Sequence, residues 1–240
     1  MTARRTLALA FATPLVFASF APAVASAAPS KPSCNGRAAT IVVTATSPHI
    51  VKGTSRADVI VVKNAGHVVK AGSGNDRICG SAGRDQIDAG PGNDRVLAGG
   101  GADVVYGGSG ADVLSGGAGN DVIAGQSGND TEYGDAGDDD LQGGTGNDVL
   151  EGGAGRDDLY GDGGNDNCNG GQGDDSVDGG DGDDHVSGGR GHDRIHGGKG
   201  HDRHDSGDDA SESDDEQDDE GTPAPAPSTD PSPAPAPTAS

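Results

Sequence analysis

From Asp76 to Asp202 an aspartate returns every ninth residue, fifteen times in succession, with no insertion or deletion to disturb the count. If each unit is numbered so that this aspartate is position 6, position 4 is glycine throughout, from Gly74 to Gly200. Position 8 is aliphatic in most units, as at Ile78, Val105, Leu114, Leu150 and Ile195, and Glu132, Cys168 and His204 break that column. Few apolar residues and a formal charge of -23 are the usual signature of a disordered chain. Low complexity alone does not keep phase so strictly, and a strict short period is the mark of a solenoid.

The unit reads G-G-x-G-x-D-x-U-x, with U aliphatic. Glycine at this density excludes an α-helix. It suits turns, because glycine accepts positive φ and close backbone approach. The pattern predicts a six-residue turn followed by a three-residue strand whose central U side chain points inward while its neighbours point out. Two units return the chain to the same side, so a coil takes eighteen residues. The expected fold is all-β: a parallel, two-faced β-solenoid, or β-roll, with coils stacked about 4.8 Å apart.

One inward aliphatic side chain per nine residues is a thin core. Stacking also brings aspartates of neighbouring coils together. Like charges near 4 Å repel by about 4 kcal/mol at an effective dielectric of 20. A cation between the turns answers this. Calcium takes six to eight oxygen ligands and accepts carboxylates together with backbone carbonyls. One edge of the roll offers Asp76, Asp94, Asp112, Asp130, Asp148, Asp166, Asp184 and Asp202. The other offers Asp85, Asp103, Asp121, Asp139, Asp157, Asp175 and Asp193. If all filled, this arrangement would hold about a dozen calcium ions between turns. Magnesium wants a tighter octahedron and keeps its waters, and zinc wants His or Cys clusters. The position 5 residues, such as Asn75, Asn120 and Asp138, are read as hydrogen-bonding the turn. Glu132 puts a charge in the core column, where it either rotates outward or marks a local irregularity.

The repeat weakens towards both ends. Asp58 and Ile60 keep the phase, as do His67 and Val69, with His67 in the aspartate slot. Residues 39–51 read as an eroded leading coil or a short capping strand pair. Terminal repeats are expected to be atypical, because each has a neighbour on one side only. Arg4 and Arg5 precede an apolar run from Leu7 to Phe20, and Ala25-Ser26-Ala27 supplies small residues for a cut. Residues 1–27 therefore read as a signal peptide of the Sec type and the chain as secreted, extracellular or loosely associated with the cell wall. The apolar run is too short and too interrupted by Pro14 and Pro22 for a transmembrane anchor. The expected organisation is then an N-terminal segment or eroded capping coil at 28–52, the roll at 53–209, and a disordered tail at 210–240, acidic first and then rich in Pro, Ala and Ser. Export permits a disulfide. Cys34 with Cys79 is the expected pair, tying the pre-repeat segment to an early unit, and Cys168 is read as a small buried hydrophobe.

These residues carry a resemblance. The chain resembles the haemolysin-type, or repeats-in-toxin (RTX), calcium-binding nonapeptide repeat proteins, over roughly residues 53–209 and most strongly from Ala71 to Asp205. Compared with the toxins and proteases that carry such repeats, it more closely resembles small, secreted, repeat-only actinobacterial proteins, whose sequences resemble "CNGRAATI" at 34–41 and "ICGSAGRD" at 78–85. The resemblance implies a parallel β-roll that orders only when calcium sits in its turns, held by the position 6 carboxylates and turn carbonyls. Many relatives carry such repeats beside a toxin or protease domain and leave by a C-terminal signal. This chain departs from them on both counts.

Other chemistry finds little support. Sixteen Lys and Arg against thirty-nine acids disfavour nucleic acid, itself a polyanion. There is no H-E-x-x-H helix and no G-x-S-x-G elbow, and a thin roll offers no cleft in which to position a catalytic constellation. The expectation is a protein that is not an enzyme. Five histidines crowd the last repeats, His185, His192, His196, His201 and His204. They read as solvated turn and strand residues, with weak zinc or copper binding as the alternative. The expected function is extracellular calcium binding by a calcium-dependent roll, in a structural or surface-associated role. The alternatives are an adhesin or matrix protein presenting a face of the roll to a cell-surface or matrix partner, or an accessory repeat module of a secreted hydrolase.

Overall fold

A computed structural model of the chain describes residues 33–205, Pro48 excepted. The expected signal peptide at 1–27, the tail at 210–240 and the last trace of repeat at 206–209 lie outside the described residues. Within them the chain is all β and winds as a parallel solenoid. Successive strands alternate between two sheets, one of nine strands and one of ten, in which each strand pairs with the next but one along the chain. The register is a steady eighteen residues: Val104 faces Val122, Val122 faces Asp140, and Asp140 faces Asp158. The nonapeptide is thus half a coil, as its period requires.

The turns and strands divide differently from the expectation. From Gln86 to Lys199 the strands are six residues long, as in Val104–Ser109 and Val149–Ala154, rather than three. Each runs through positions 7, 8 and 9 and on through positions 1, 2 and 3 of the next unit. Only positions 4 to 6 remain as the turn. The cause lies in position 2, where glycines such as Gly108 and Gly144 adopt φ of 114° and 105°. Every coil bends at the same place, so parallel neighbours stay in register through the bend and the ladder continues, with Gly108 pairing Gly90 and Gln126.

The position 8 side chains fill the space between the sheets. Ile78, Ile87, Val96, Val105, Leu114, Ile123, Leu141, Leu150 and Leu159 are all out of contact with solvent. Cys168 takes its turn in the same column, free and buried. Glu132 does not rotate outward, nor does it disturb the winding. It is fully buried and stacks in register between Leu114 and Leu150. The hydrogen-bonded ladders on either side hold its backbone in phase whatever its side chain carries.

At the N-terminal end, Ile41–Val43 and Ile50–Lys52 form a leading coil. Ile50 keeps the eighteen-residue register with Val68, while Ile41 pairs with Ile60, one residue longer. A small antiparallel hairpin, Ser33–Cys34 with Arg37–Ala38, precedes it. The expected disulfide forms: Cys34 and Cys79 are joined across 45 residues of sequence. It ties the hairpin to the strand Arg77–Cys79.

Candidate metal centre

The position 6 aspartates stand just before the strands, at the corners of the roll, and from Asp76 to Asp184 all are buried. Position 6 is the last residue before the chain enters a sheet, and its main chain is fully engaged with the next coil. The carbonyl of Asp94 accepts the N–H of Val113, and the N–H of Asp94 donates to Oδ1 of Asp112 at 2.7 Å. The same bond recurs from coil to coil on both edges: Asp103 to Asp121 at 2.7 Å, Asp130 to Asp148 at 2.7 Å, Asp157 to Asp175 at 2.9 Å and Asp184 to Asp202 at 2.9 Å. One oxygen of each carboxylate is thereby committed to the preceding coil.

The position 5 side chains stitch the other way. Oδ1 of Asn93 accepts the N–H of Ala111 in the following coil, as Asn129 does for Asn147 and Asp138 for Arg156. The expected hydrogen-bonding role of this position is therefore observed. His192 and His201 keep the pattern at the C-terminal end, donating their main-chain N–H to Asp174 and Asp183.

The second carboxylate oxygen is different. In Asp76, Asp94, Asp103, Asp112, Asp121, Asp130, Asp139, Asp148, Asp157, Asp166, Asp175 and Asp184, Oδ2 is buried and has no hydrogen-bond partner. A buried polar atom without a partner carries its full desolvation cost, more so when charged. Burial accordingly raises these carboxyls, Asp94, Asp139 and Asp166 to about 7 and Asp103, Asp130 and Asp175 to about 6. The hydrogen bond from the preceding coil opposes that rise, and the neighbouring aspartates of the same edge add to it. Asp85 is arranged otherwise. Its Oδ2 accepts from both the N–H and the hydroxyl of Ser81, each at 2.8 Å, and its buried Oδ1 is the atom left without a partner. Thr54 holds Asp58 in the same way. Sequence reasoning missed these two turns, though the signal was present: a hydroxyl residue stands at position 2 where glycine is usual. Asp193 and Asp202, in the last turns, are partly exposed.

Carbonyl oxygens gather at the same corners. A side chain placed on Gly92, Gly110, Gly128 or Gly146 would run into the main-chain carbonyl of the position 4 glycine one coil earlier. These carbonyls therefore stack along the edge, each directed at a neighbour that has room for it only because it is glycine. The position 4 backbone also favours glycine: φ is 128° at Gly128 and 136° at Gly146. The groups that gather at these corners, carboxylate and main-chain carbonyl, are both oxygen donors. Among the described residues no three of His, Cys, Asp and Glu converge as a side-chain cage. The C-terminal histidines do not form one: the ring of His185 lies between Oδ1 of Asn167 and Oδ2 of Asp205, at 3.1 and 3.0 Å.

Buried, unpartnered carboxylate oxygens beside stacked carbonyls fit a hard cation of the calcium kind, which prefers a mixed shell of such oxygens. Four successive copies of the family model for the RTX calcium-binding nonapeptide repeat match the chain, at residues 70–105, 97–132, 133–168 and 169–203. They span more than half of its 240 residues. The chain belongs to this family. It is an RTX repeat protein with the parallel β-roll that the periodicity predicts, and calcium binding is the property the family repeat carries. No curated protein matches it. No helix of the described residues is long and apolar enough to cross a membrane.

Glu132 lies inside this array. Burial pushes its carboxyl well above the usual carboxylate range. The backbone at Gly125 and Gln142 works against that rise, and Asp130 and Asp148 add to it. Neither of its oxygens has a partner in good hydrogen-bonding geometry.

Proposed function

We propose that this chain is an exported calcium-binding RTX roll in which the position 6 aspartates, from Asp76 to Asp202, hold calcium ions between successive turns of each edge. The observation that carries the reading is the row of buried Oδ2 atoms, each without a partner and each repeated one coil further on. When bound, calcium supplies positive charge and oxygen coordination between adjacent turns. The chain supplies the rest. Position 6 fixes one carboxylate oxygen to the preceding coil and presents the other. Glycine at position 4 lets the carbonyls approach. The position 8 column keeps the two sheets at a constant spacing. Asp85 offers Oδ1 rather than Oδ2, because Ser81 has taken the latter.

The role that follows is structural. In a compartment poor in calcium, the unpaired carboxylates oppose stacking. Where calcium is abundant, the coils lock. The expected N-terminal signal peptide would bring the chain to such a compartment, outside the cell or at its wall. The outward strand positions do not form a regular lattice: Gln86, Val104, Val122, Asp140 and Asp158 follow one another in one register column. This favours a load-bearing or spacing role over an adhesive face.

Circular dichroism of the purified chain lacking residues 1–27, titrated with calcium at neutral pH, tests the reading. The β signal is expected to grow with calcium and to vanish on chelation. A chain that stays unordered at millimolar calcium, or stays ordered after exhaustive chelation, overturns it.

A further inference from the structure

We infer that Arg77 and Arg95 form an anion clamp on the outer face of the ten-stranded sheet, and that its ligand is the phosphoryl group of a phosphate monoester. The inference goes beyond calcium binding and uses none of the position 6 aspartates.

The two arginines stand at position 7 of successive coils and are register partners. Neighbouring strands lie about 4.8 Å apart, so adjacent coils carry two guanidinium groups on one column. Like charges so placed oppose the pairing of their strands. Elsewhere the roll answers a cation in register with an acid. Lys70 meets Asp88 at 3.3 Å and Lys199 meets Asp181 at 2.7 Å, each across one register step. Among the described residues the guanidinium groups of Arg77 and Arg95 have no such partner. Their column continues with Val59 on one side and Val113 on the other, and Cys79 and Leu97 flank them on the same face.

The charge of this end of the roll is unlike that of the rest. Between residues 33 and 100 eight Lys and Arg stand against five acids, in a chain whose formal charge is -23. Four of those acids are the position 6 residues Asp58, Asp76, Asp85 and Asp94, all buried, and the fifth is the Asp88 that Lys70 already holds. An anion is therefore drawn to this face and repelled by the acidic coils beyond it.

Arg95 is set in advance. Its Nε is the one side-chain nitrogen among the described residues that is buried without a partner. A covered Nε lays the stem along the sheet and leaves the two Nη atoms as the open end of the side chain. The disulfide from Cys34 to Cys79 fixes the hairpin to the same strand, two residues from Arg77. A guanidinium presents its N–H groups as a planar fork that takes oxygens two at a time. One fork uses up the two oxygens of a carboxylate. A phosphate monoester has three free oxygens and carries about -1.5 to -2 charges near neutral pH, enough to serve both forks and to balance the pair.

The test follows the arginine Nε–H signals of the nitrogen-15-labelled full chain, ordered in calcium at pH 7.5, by nuclear magnetic resonance during titration with methyl phosphate. The signals of Arg77 and Arg95 are expected to move together and to saturate, while those of Arg156 and Arg190 stay in place. Arg77→Gln is expected to weaken the response of Arg95 by about tenfold or more, as the loss of a charged hydrogen bond implies, and Arg95→Gln to do the same for Arg77. Uncharged residues already occupy this column at Val113, Thr131 and Val149, so the fold tolerates both changes. Acetate is expected to give no saturating response. Sedimentation with phosphatidylcholine vesicles, with and without phosphatidic acid, distinguishes the source of the phosphate. Pelleting that needs phosphatidic acid and both arginines supports the clamp and puts its ligand on a lipid surface. A methyl phosphate response without pelleting supports it with a soluble ester. Equal shifts at every arginine, an acetate response matching that of methyl phosphate, or an Arg95 curve unchanged by Arg77→Gln overturns the clamp and leaves calcium binding in the turns untouched.

Discussion

The main-chain N–H of Asp130 donates to Oδ1 of Asp148 at 2.7 Å, one full coil further along the chain. The aspartate thus has two tasks, holding the coil before it with one oxygen and presenting the other to whatever lies between the turns. Replacement at Asp148 separates them. Asp148→Asn keeps an acceptor for the Asp130 N–H and removes the charge, whereas Asp148→Ala removes both. The alanine variant leaves a buried N–H unsatisfied, at a cost of about 1–3 kcal/mol. Both variants are expected to need more calcium for half-ordering, alanine the more, as read by circular dichroism. An asparagine variant indistinguishable from the native chain would mean that the carboxylate charge at this turn binds nothing.

Acid is expected to replace calcium in part. The carboxyls of Asp94, Asp139 and Asp166 titrate at about 7 in the roll, against an ordinary value of 3.8. A group whose folded value is raised stabilises the fold fully below its unfolded value, and that contribution disappears as pH rises through the folded value. In the presence of chelator, the roll is therefore most stable near pH 4 and loses that support as pH climbs to about 7. Chelated protein taken from pH 7.5 down to pH 4.5 should gain β signal without any metal. Calcium affinity should fall over the same interval, because protons and calcium compete for the same oxygens. A chelated chain equally unordered across the range contradicts the assignment of these burial-driven shifts.

Glycine at position 4 is a steric requirement, and Gly146 gives a clean contrast with Gly163. Gly146 has φ of 136°, and a side chain there meets the carbonyl of Gly128 in the preceding coil. A side chain at Gly163 meets nothing closer than 3.8 Å. Gly146→Ala is expected to destabilise the calcium-loaded roll by at least about 1–3 kcal/mol from backbone strain alone. Gly163→Ala should fall within about 0.5 kcal/mol of the native chain. Thermal melts at fixed calcium decide between them.

How much of this was open to inspection in the sequence follows from what repeats and what does not. Fifteen aspartates in phase fixed the coil length, the handing of successive strands to alternate sheets, and the inward column, because a period of nine in a two-sided solenoid leaves few choices. Strand length was not legible. Glycine at position 2 reads as a turn residue, yet in a parallel stack each such bend is matched by an identical bend above and below, so the ladder passes through it. Gln126, Asp135 and Asp162 make the point, holding positive φ at position 2 without breaking the strands. The fate of Glu132 was not legible either. A single charge in an apolar column suggests an escape route or a defect, and only the backbone ladders on either side show that neither is allowed. The hydroxyl at position 2 signalled the pairing of Asp85 with Ser81, but which carboxylate oxygen it would leave without a partner was not legible.

The cysteines give an independent readout. The Cys34–Cys79 bond closes a separation of 45 residues, and chain-entropy reasoning puts its contribution at about 4 kcal/mol. Reduction, or Cys34→Ser with Cys79→Ser, should loosen the hairpin and the leading coil while the coils beyond Asp94 keep their order. Cys168 reports on those later coils. It is buried, and burial pushes its thiol up. A thiol reagent should label Cys168 slowly in calcium and quickly in chelator, with or without the disulfide. Rapid labelling in calcium would show that the middle of the roll is open.

The half-coil period also governs how this molecule can change in length. Gain or loss of eighteen residues returns every side chain to its own sheet and leaves the outer columns as they were. Gain or loss of nine keeps the interior satisfied but transposes the two outer faces for the whole of the chain that follows, so that Val122 and its column trade sides with Val113 and its own. Eighteen residues is the step of a ruler, and nine is a switch of face.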